Sequence, residues 1–235
     1  MKLTQKLLGI AATAALMFGA SQAHAIPVEI GFAIDSSGSI GGANFVTQRT
    51  IYATVLSDPT ILPQDGTVAV GIVRFSGSAT TIFPVTVIDS TTIASLTAAI
   101  TGMTFIGGGT NIGAGIDLLR TSIVGNAIVS DRQLIDVSTD GIGTLGTSVA
   151  DALAAGIDQI NCLGIGAGAN CGFIAGTGAF SITVAGFADL EQALRTKIVT
   201  EVGGVPGPGP VPEPSSLLLL GSGLVGLGLW RMIRI

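Results

Sequence analysis

Short apolar runs rich in β-branched residues alternate along this chain with stretches of helical periodicity, and that alternation constrains the fold more than any other feature. Residues 28–34, 67–75, 131–138, 159–165 and 180–184 read as strands, and residues 42–56, 91–100, 111–124, 147–157 and 187–202 read as helices. In the third of these helices Ile112, Ile116, Leu119 and Ile123 recur at helical spacing. A shorter strand is expected over 80–83, ended by Pro84. Strands that are apolar throughout need cover on both faces. Helices between successive strands supply that cover and impose mostly parallel pairing. The expected fold class is therefore α/β, a three-layer sandwich with a mostly parallel central sheet and helices on both faces.

Both ends carry signals of a different kind. Lys2 and Lys6 precede an apolar run over 7–18, too short to span a bilayer, and Ala23-His24-Ala25 is a small-x-small cleavage pattern. Together they read as a secretory signal peptide over 1–25. The single histidine, His24, leaves with that segment. The mature chain then lacks an imidazole for a Ser-His-Asp triad or a zinc site. Residues 203–214 hold four glycines and five prolines, a composition that suits a linker and excludes a helix. The linker ends in Pro212-Glu213-Pro214; residues 215–235 then carry an apolar run and a basic tip with Arg231 and Arg234. This arrangement resembles the PEP-CTERM sorting signal of Gram-negative bacteria. The resemblance implies processing by an exosortase-type enzyme and a membrane-inserted C-terminal helix, at least before processing. The implied location is the cell surface or the extracellular matrix.

The remaining domain, expected over 26–202, is acidic. Of ten Lys and Arg, four lie in the two ends, whereas only one of the fifteen Asp and Glu does; the domain keeps six basic side chains against fourteen acidic ones. That balance argues against nucleic acid as a partner and accords with cation binding. Its two cysteines, Cys162 and Cys171, form an even set in an oxidising compartment, which favours a disulfide over a thiol metal site.

The chemistry concentrates after the first strand. Asp35-Ser36-Ser37-Gly38-Ser39 places one carboxylate and two hydroxyls at every second position, and alternate side chains of an extended loop point the same way. An all-oxygen donor set suits a hard cation such as Mg²⁺, with Mn²⁺ or Ca²⁺ as alternatives. Parallel α/β sheets place ligands at the carboxyl ends of their strands, and two further oxygens fall at such places. Thr110 follows Gly107-Gly108-Gly109 before a helix, and Asp140 follows the strand ending near Ser138.

In this order, Asp-x-Ser-x-Ser, Thr and Thr-Asp-Gly resemble the von Willebrand factor type A (vWA) domain, a Rossmann-like fold. The resemblance extends over roughly residues 28–202. It implies that Asp35, Ser37, Ser39, Thr110 and Asp140 form a metal-ion-dependent adhesion site, or MIDAS. Residues 132–138 and Phe187-Ala188-Asp189-Leu190 are also similar to a bacterial secreted subgroup with no assigned function. The family pattern implies a partner that presents a carboxylate, either a protein or an acidic polysaccharide, in adhesion or in a biofilm matrix. A structural surface protein with an incidental metal is the main alternative, and a metal-dependent hydrolase is the enzymatic one. The first loop lacks Gly-x-Gly-x-x-Gly, and Lys197 is the sole lysine of the domain, so no nucleotide site is expected. Without a separate base or oxyanion donor, the expectation is a binding protein rather than an enzyme.

Overall fold

Strand β1 (Val28–Asp35) is buried along its whole length, as an apolar run covered on both faces must be. It lies at the centre of the sheet in a computed structural model that describes residues 28–203. The expected signal peptide, nearly all of the linker and the C-terminal sorting helix lie outside the described residues. After β1 come α1 (Gly42–Leu56), β2 (Asp65–Phe75), β3 (Ala79–Asp89), α2 (Ile93–Thr101), α3 (Ile112–Val124) and β4 (Gln133–Thr139). The chain continues through α4 (Ser148–Ala154), β5 (Gln159–Ile165), β6 (Ala175–Gly176), β7 (Ser181–Val184) and α5 (Leu190–Gly203).

The strand order is β3-β2-β1-β4-β5-β6, with β7 also paired to β5. β1 runs parallel to β2 on one side and to β4 on the other, so the strand order reverses at β1. β4–β5 and β5–β7 are parallel as well; β2–β3 and β5–β6 are antiparallel. Alternate residues of β1 feed two separate cores. Val28, Ile30, Phe32 and Ile34 pack with Phe45 and Tyr52 of α1, Leu96 of α2, and Leu194 and Ile198 of α5. On the other face Ala33, Ile135 and Val137 pack with Ile116 and Leu119 of α3 and Ala152 of α4. Gly31 lets α3 approach β1, because a Cβ there would lie 2.6 Å from a Leu119 methyl.

One strand differs from expectation. The sequence reading ended it at Pro84, yet β3 runs on to Asp89. β3 is an edge strand, where a proline needs no ladder partner for its missing N–H. The register slips between Val70↔Thr86 and Ile72↔Phe83, a bulge that accommodates Pro84 and Val85. The two-residue β6 carries no sequence signal of its own.

Beneath α5 the core is not wholly apolar. Lys197 lies 3.1 Å from Asp136 Oδ1 and 2.6 Å from Glu201 Oε1, with all three side chains buried. Asn161 of β5 donates to Glu201 Oε1 at 2.9 Å and accepts from the Phe180 N–H at 3.0 Å. Burial, followed by the Asp136 carboxylate, pushes the Glu201 carboxyl up to about 8, against the opposing pull of Lys197 and Asn161. Burial likewise raises Asp136, which Lys197 offsets only in part. Burial pulls the Lys197 ammonium down, but the two facing carboxylates outweigh it and hold it above its usual value.

The folded chain thus keeps a proton on Glu201 that an unfolded chain releases near 4.5. Stability is expected to fall as pH rises from about 4.5 to about 8, and Glu201 adds no further slope above that window. Denaturant midpoints measured between about pH 5 and about pH 9 check this, with Glu201→Gln flattening the profile.

Candidate metal centre

β1 ends at Asp35, and the chain turns sharply because Asp35 Oδ1 accepts the Ser37 N–H at 2.7 Å. A loop distant in sequence is stitched to this turn. Ser36 Oγ accepts from the Ile106 N–H at 2.9 Å, the Ser36 carbonyl from Gly107 N–H at 2.9 Å, and Gly38 N–H donates to the Gly108 carbonyl at 2.9 Å. Gly107 and Gly108 have φ of 77° and 84°, a left-handed backbone that favours glycine. Asn111 Oδ1 caps α3 by accepting from Ala114 N–H at 3.1 Å, so Thr110 is not needed as the cap. The end of β4 completes the arrangement. Thr139 Oγ1 donates to Asp35 Oδ2 at 2.7 Å, and Asp140 Oδ1 accepts from Ser39 Oγ at 2.7 Å.

Four of the five expected residues are therefore linked directly. Asp35 binds the Ser37 backbone, the Ser37 and Ser39 hydroxyls lie 3.2 Å apart, and Ser39 reaches Asp140. Thr110 enters through its backbone: its carbonyl accepts from the Thr144 N–H at 2.9 Å, and its loop is held against the Asp35 turn. The site is graded in depth. Asp35 and Ser37 are fully buried, Asp140 and Thr110 are half-buried, and Ser39 is exposed. Burial pushes the Asp35 carboxyl above its usual value; the bonds from Ser37 and Thr139 restrain it only partly, and Asp140 adds to the rise.

This donor set fits a hard divalent cation. It offers carboxylate and hydroxyl oxygens without nitrogen or sulfur, and a cation beside Asp35 and Asp140 would relieve a buried negative charge. Among the described residues no group of three or more His, Cys, Asp or Glu is placed to hold a metal. An ion here would depend on the hydroxyls as much as on the two carboxylates.

Sequence reasoning missed three contributors. Thr139 fixes the second oxygen of Asp35, Ser36 anchors the 106–108 loop, and Gln48 Nε2 donates to the Asp35 carbonyl at 3.0 Å. Ser36 gives no signal in the sequence because alternation points it away from Asp35 and Ser37. Gln48 is legible only as one polar residue on the buried face of α1. The Cys162–Cys171 disulfide is present. Its loop lies beside the site: Asn170 N–H donates to the Gly141 carbonyl at 3.4 Å, and a Cβ on Gly168 would lie 3.0 Å from the Asp140 carbonyl.

The family described as a protein of unknown function, DUF1194, matches residues 25–206. The chain belongs to the DUF1194 family. The PEP-CTERM protein-sorting motif matches residues 210–234. Among solved structures, the DUF1194 chain is similar to proximal thread matrix protein 1 from the mussel byssus, at 19% identity and a TM-score of 0.62, covering 76% of this chain and 47% of that one. A second structure of that mussel protein has a zinc-occupied MIDAS motif, at 20% identity and a TM-score of 0.58, covering 74% and 48%. The pilus adhesin SpaC from Lactobacillus rhamnosus GG matches at 13% identity and a TM-score of 0.61, covering 76% and 31%. A von Willebrand factor type A protein from Catenulispora acidiphila matches at 19% identity and a TM-score of 0.59, covering 76% and 43%. The chain spans less than half the length of each of these proteins. No curated protein matches it. The DUF1194 domain has the vWA fold.

Thr139→Val removes the donor to a buried carboxylate. It is expected to cost about 1.5–3 kcal/mol, read from denaturant unfolding of the metal-free protein. Replacing both cysteines by serine opens the short loop beside Gly141 and is expected to cost about 2–3 kcal/mol in the same assay.

Proposed function

We propose that this DUF1194 protein is an exported surface or matrix protein that binds a partner protein through a divalent ion. The ion would be held by Asp35, Ser37, Ser39, Thr110 and Asp140. The observation that carries this reading is the hydrogen-bonded chain from Thr139 through Asp35, Ser37 and Ser39 to Asp140, at the carboxyl end of the central strands. Asp35 and Asp140 would balance the charge of the ion, and Ser37, Ser39 and Thr110 would supply neutral oxygens. Once bound, the ion supplies Lewis acidity toward a carboxylate of the partner. Mg²⁺ is the expected ion and Mn²⁺ or Ca²⁺ the alternatives.

The surroundings of the site favour a protein over an acidic polysaccharide. Ile106, bonded through its N–H to Ser36, is 55% exposed, and Ile142, two residues after Asp140, is 76% exposed. A cleft of about 240 Å³ is lined by Ile142 together with Ile112, Leu145, Asn170 and Phe173. An apolar rim of this kind suits side chains that flank an acidic residue. Binding is proposed rather than catalysis because both site carboxylates are committed to the ion, which leaves neither free as a general base.

Export to the surface, processing by an exosortase-type enzyme and passage of the C-terminal helix through a membrane rest on the sorting motif over 210–234. Among the described residues no helix is long and apolar enough to cross a membrane; the apolar run of the motif lies outside them.

Calorimetry is expected to show one divalent ion taken up per chain and none by Asp35→Asn, whose far-ultraviolet dichroism matches the parent. Absence of Mg²⁺, Mn²⁺ and Ca²⁺ uptake by the parent would sink the metal reading. Partner capture from cell-surface material that persists in chelator would instead favour a structural protein with an incidental metal.

A further inference from the structure

Below the sheet edge that carries the metal centre, a second cluster of reactive groups plays no part in ion binding. Lys197 of α5, Asp136 of β4 and Glu201 of α5 are 0%, 0% and 1% exposed. The Lys197 Nζ lies 3.1 Å from Asp136 Oδ1 and 2.6 Å from Glu201 Oε1, and the Phe180 ring covers it with its centroid 4.3 Å away. Neither oxygen of Asp136 accepts a well-directed hydrogen bond from any described residue, Lys197 Nζ making a charged contact at 3.1 Å, which is rare for a buried carboxylate. The Lys197 nitrogen is close to that carboxyl but off the hydrogen-bonding direction. A desolvated ion pair whose carboxylate lacks well-directed hydrogen bonds is costly, and an amide in its place carries no charge to desolvate.

We propose that Lys197 and Asp136 join in an intramolecular isopeptide bond, with Glu201 as the acid–base group that promotes it. From the ion pair, one proton passes from Lys197 Nζ to the Asp136 carboxylate, leaving a neutral amine beside a neutral acid. Nζ then attacks Asp136 Cγ, and the C–N bond forms. Glu201 relays a second proton from Nζ to the departing hydroxyl, the C–O bond breaks, and one water leaves. Glu201 ends as it began, and no oxidant, reductant or further reactant is consumed. Its Oε2 has no partner among the described residues and is available for the relay, while Oε1 contacts Nζ. Burial keeps this carboxyl protonated up to about 8. An amine held against a carboxyl by the fold reacts as though at an effective concentration on the order of 10⁵ M or more once aligned.

The bond would tie together two elements that matter to a tethered protein. β4 leads into Thr139 and Asp140 of the metal centre. α5 ends at Gly203, where the Pro/Gly stretch toward the sorting motif begins. α5 has no strand pairing to hold it, so a pull on the C-terminal stretch would act on side-chain packing and on non-covalent polar contacts such as Arg195 to Asp58 and Arg132 to the Glu201 carbonyl. A covalent link to a central strand would remove that weak point.

Peptide mapping of the purified full-length chain by tandem mass spectrometry, after disulfide reduction, tests this. The expected product is a branched peptide joining Asp136 to Lys197, lighter by one water than its two parts, and Glu201→Gln is expected to lose it. Recovery of the Asp136 and Lys197 peptides only as separate species of full mass overturns the proposal. A branch with loss of ammonia at Asn161 overturns the assignment of Asp136, and a branch that persists in Glu201→Gln overturns the role of Glu201. The map is read without added metal, so its outcome is independent of ion binding.

Discussion

The Asp35 carboxylate is the constraint around which the upper edge of the sheet is organised. It is fully buried at the end of the central strand and carries its own desolvation cost. Such a group persists only where donors meet it. Two parts of the chain supply them: the Ser37 backbone from the following turn and the Thr139 hydroxyl from the neighbouring strand. The same contacts bring Ser39 and Asp140 together and bind the glycine loop before α3 to the turn. The candidate metal centre is thus the result of satisfying one buried charge. Its remaining deficit of positive charge is what a divalent ion would correct.

The sheet carries polar groups at two depths. At its carboxyl edge the oxygens are graded from buried Asp35 to exposed Ser39, a depth profile suited to a ligand arriving from solvent. Deeper, on the face covered by α1 and α5, Asp136 and Asn161 stand opposite each other in the β4–β5 register and meet Lys197 and Glu201. A fold held only by apolar packing has no use for that second group of charges, which is costly unless paired. It anchors the last helix of the domain by position-specific contacts where apolar side chains alone would tolerate sliding.

Much of the architecture was legible because its strands are buried on both faces and therefore stand out as apolar runs between periodic helices. The exceptions have local causes. Pro84 looked like a strand end, but it lies on an edge strand and at a bulge, the two settings in which a strand tolerates proline. The short β6 is defined by pairing with β5 rather than by composition. Asp35, Ser37 and Ser39 were legible from their alternation. Thr110 and Asp140 became candidates by their places before a helix and after a strand and by family resemblance. Thr139 stands in the Thr-Asp-Gly motif with nothing local to show that it meets Asp35, and Lys197 and Asp136 lie 61 positions apart with nothing local to connect them.

By itself, then, the sequence determined the alternation of strands and helices, the sorting motif over 210–234 and the chemical nature of the oxygen donors, because these depend on residue type and short-range spacing. The tertiary structure decided which donors meet. It placed Thr139 on Asp35, Ser39 on Asp140, the disulfide loop beside Gly141 and Lys197 between two carboxylates. Those contacts depend on strand order and on which face each residue presents. Both follow from burying two apolar layers at once, a condition that no single stretch of the chain can express.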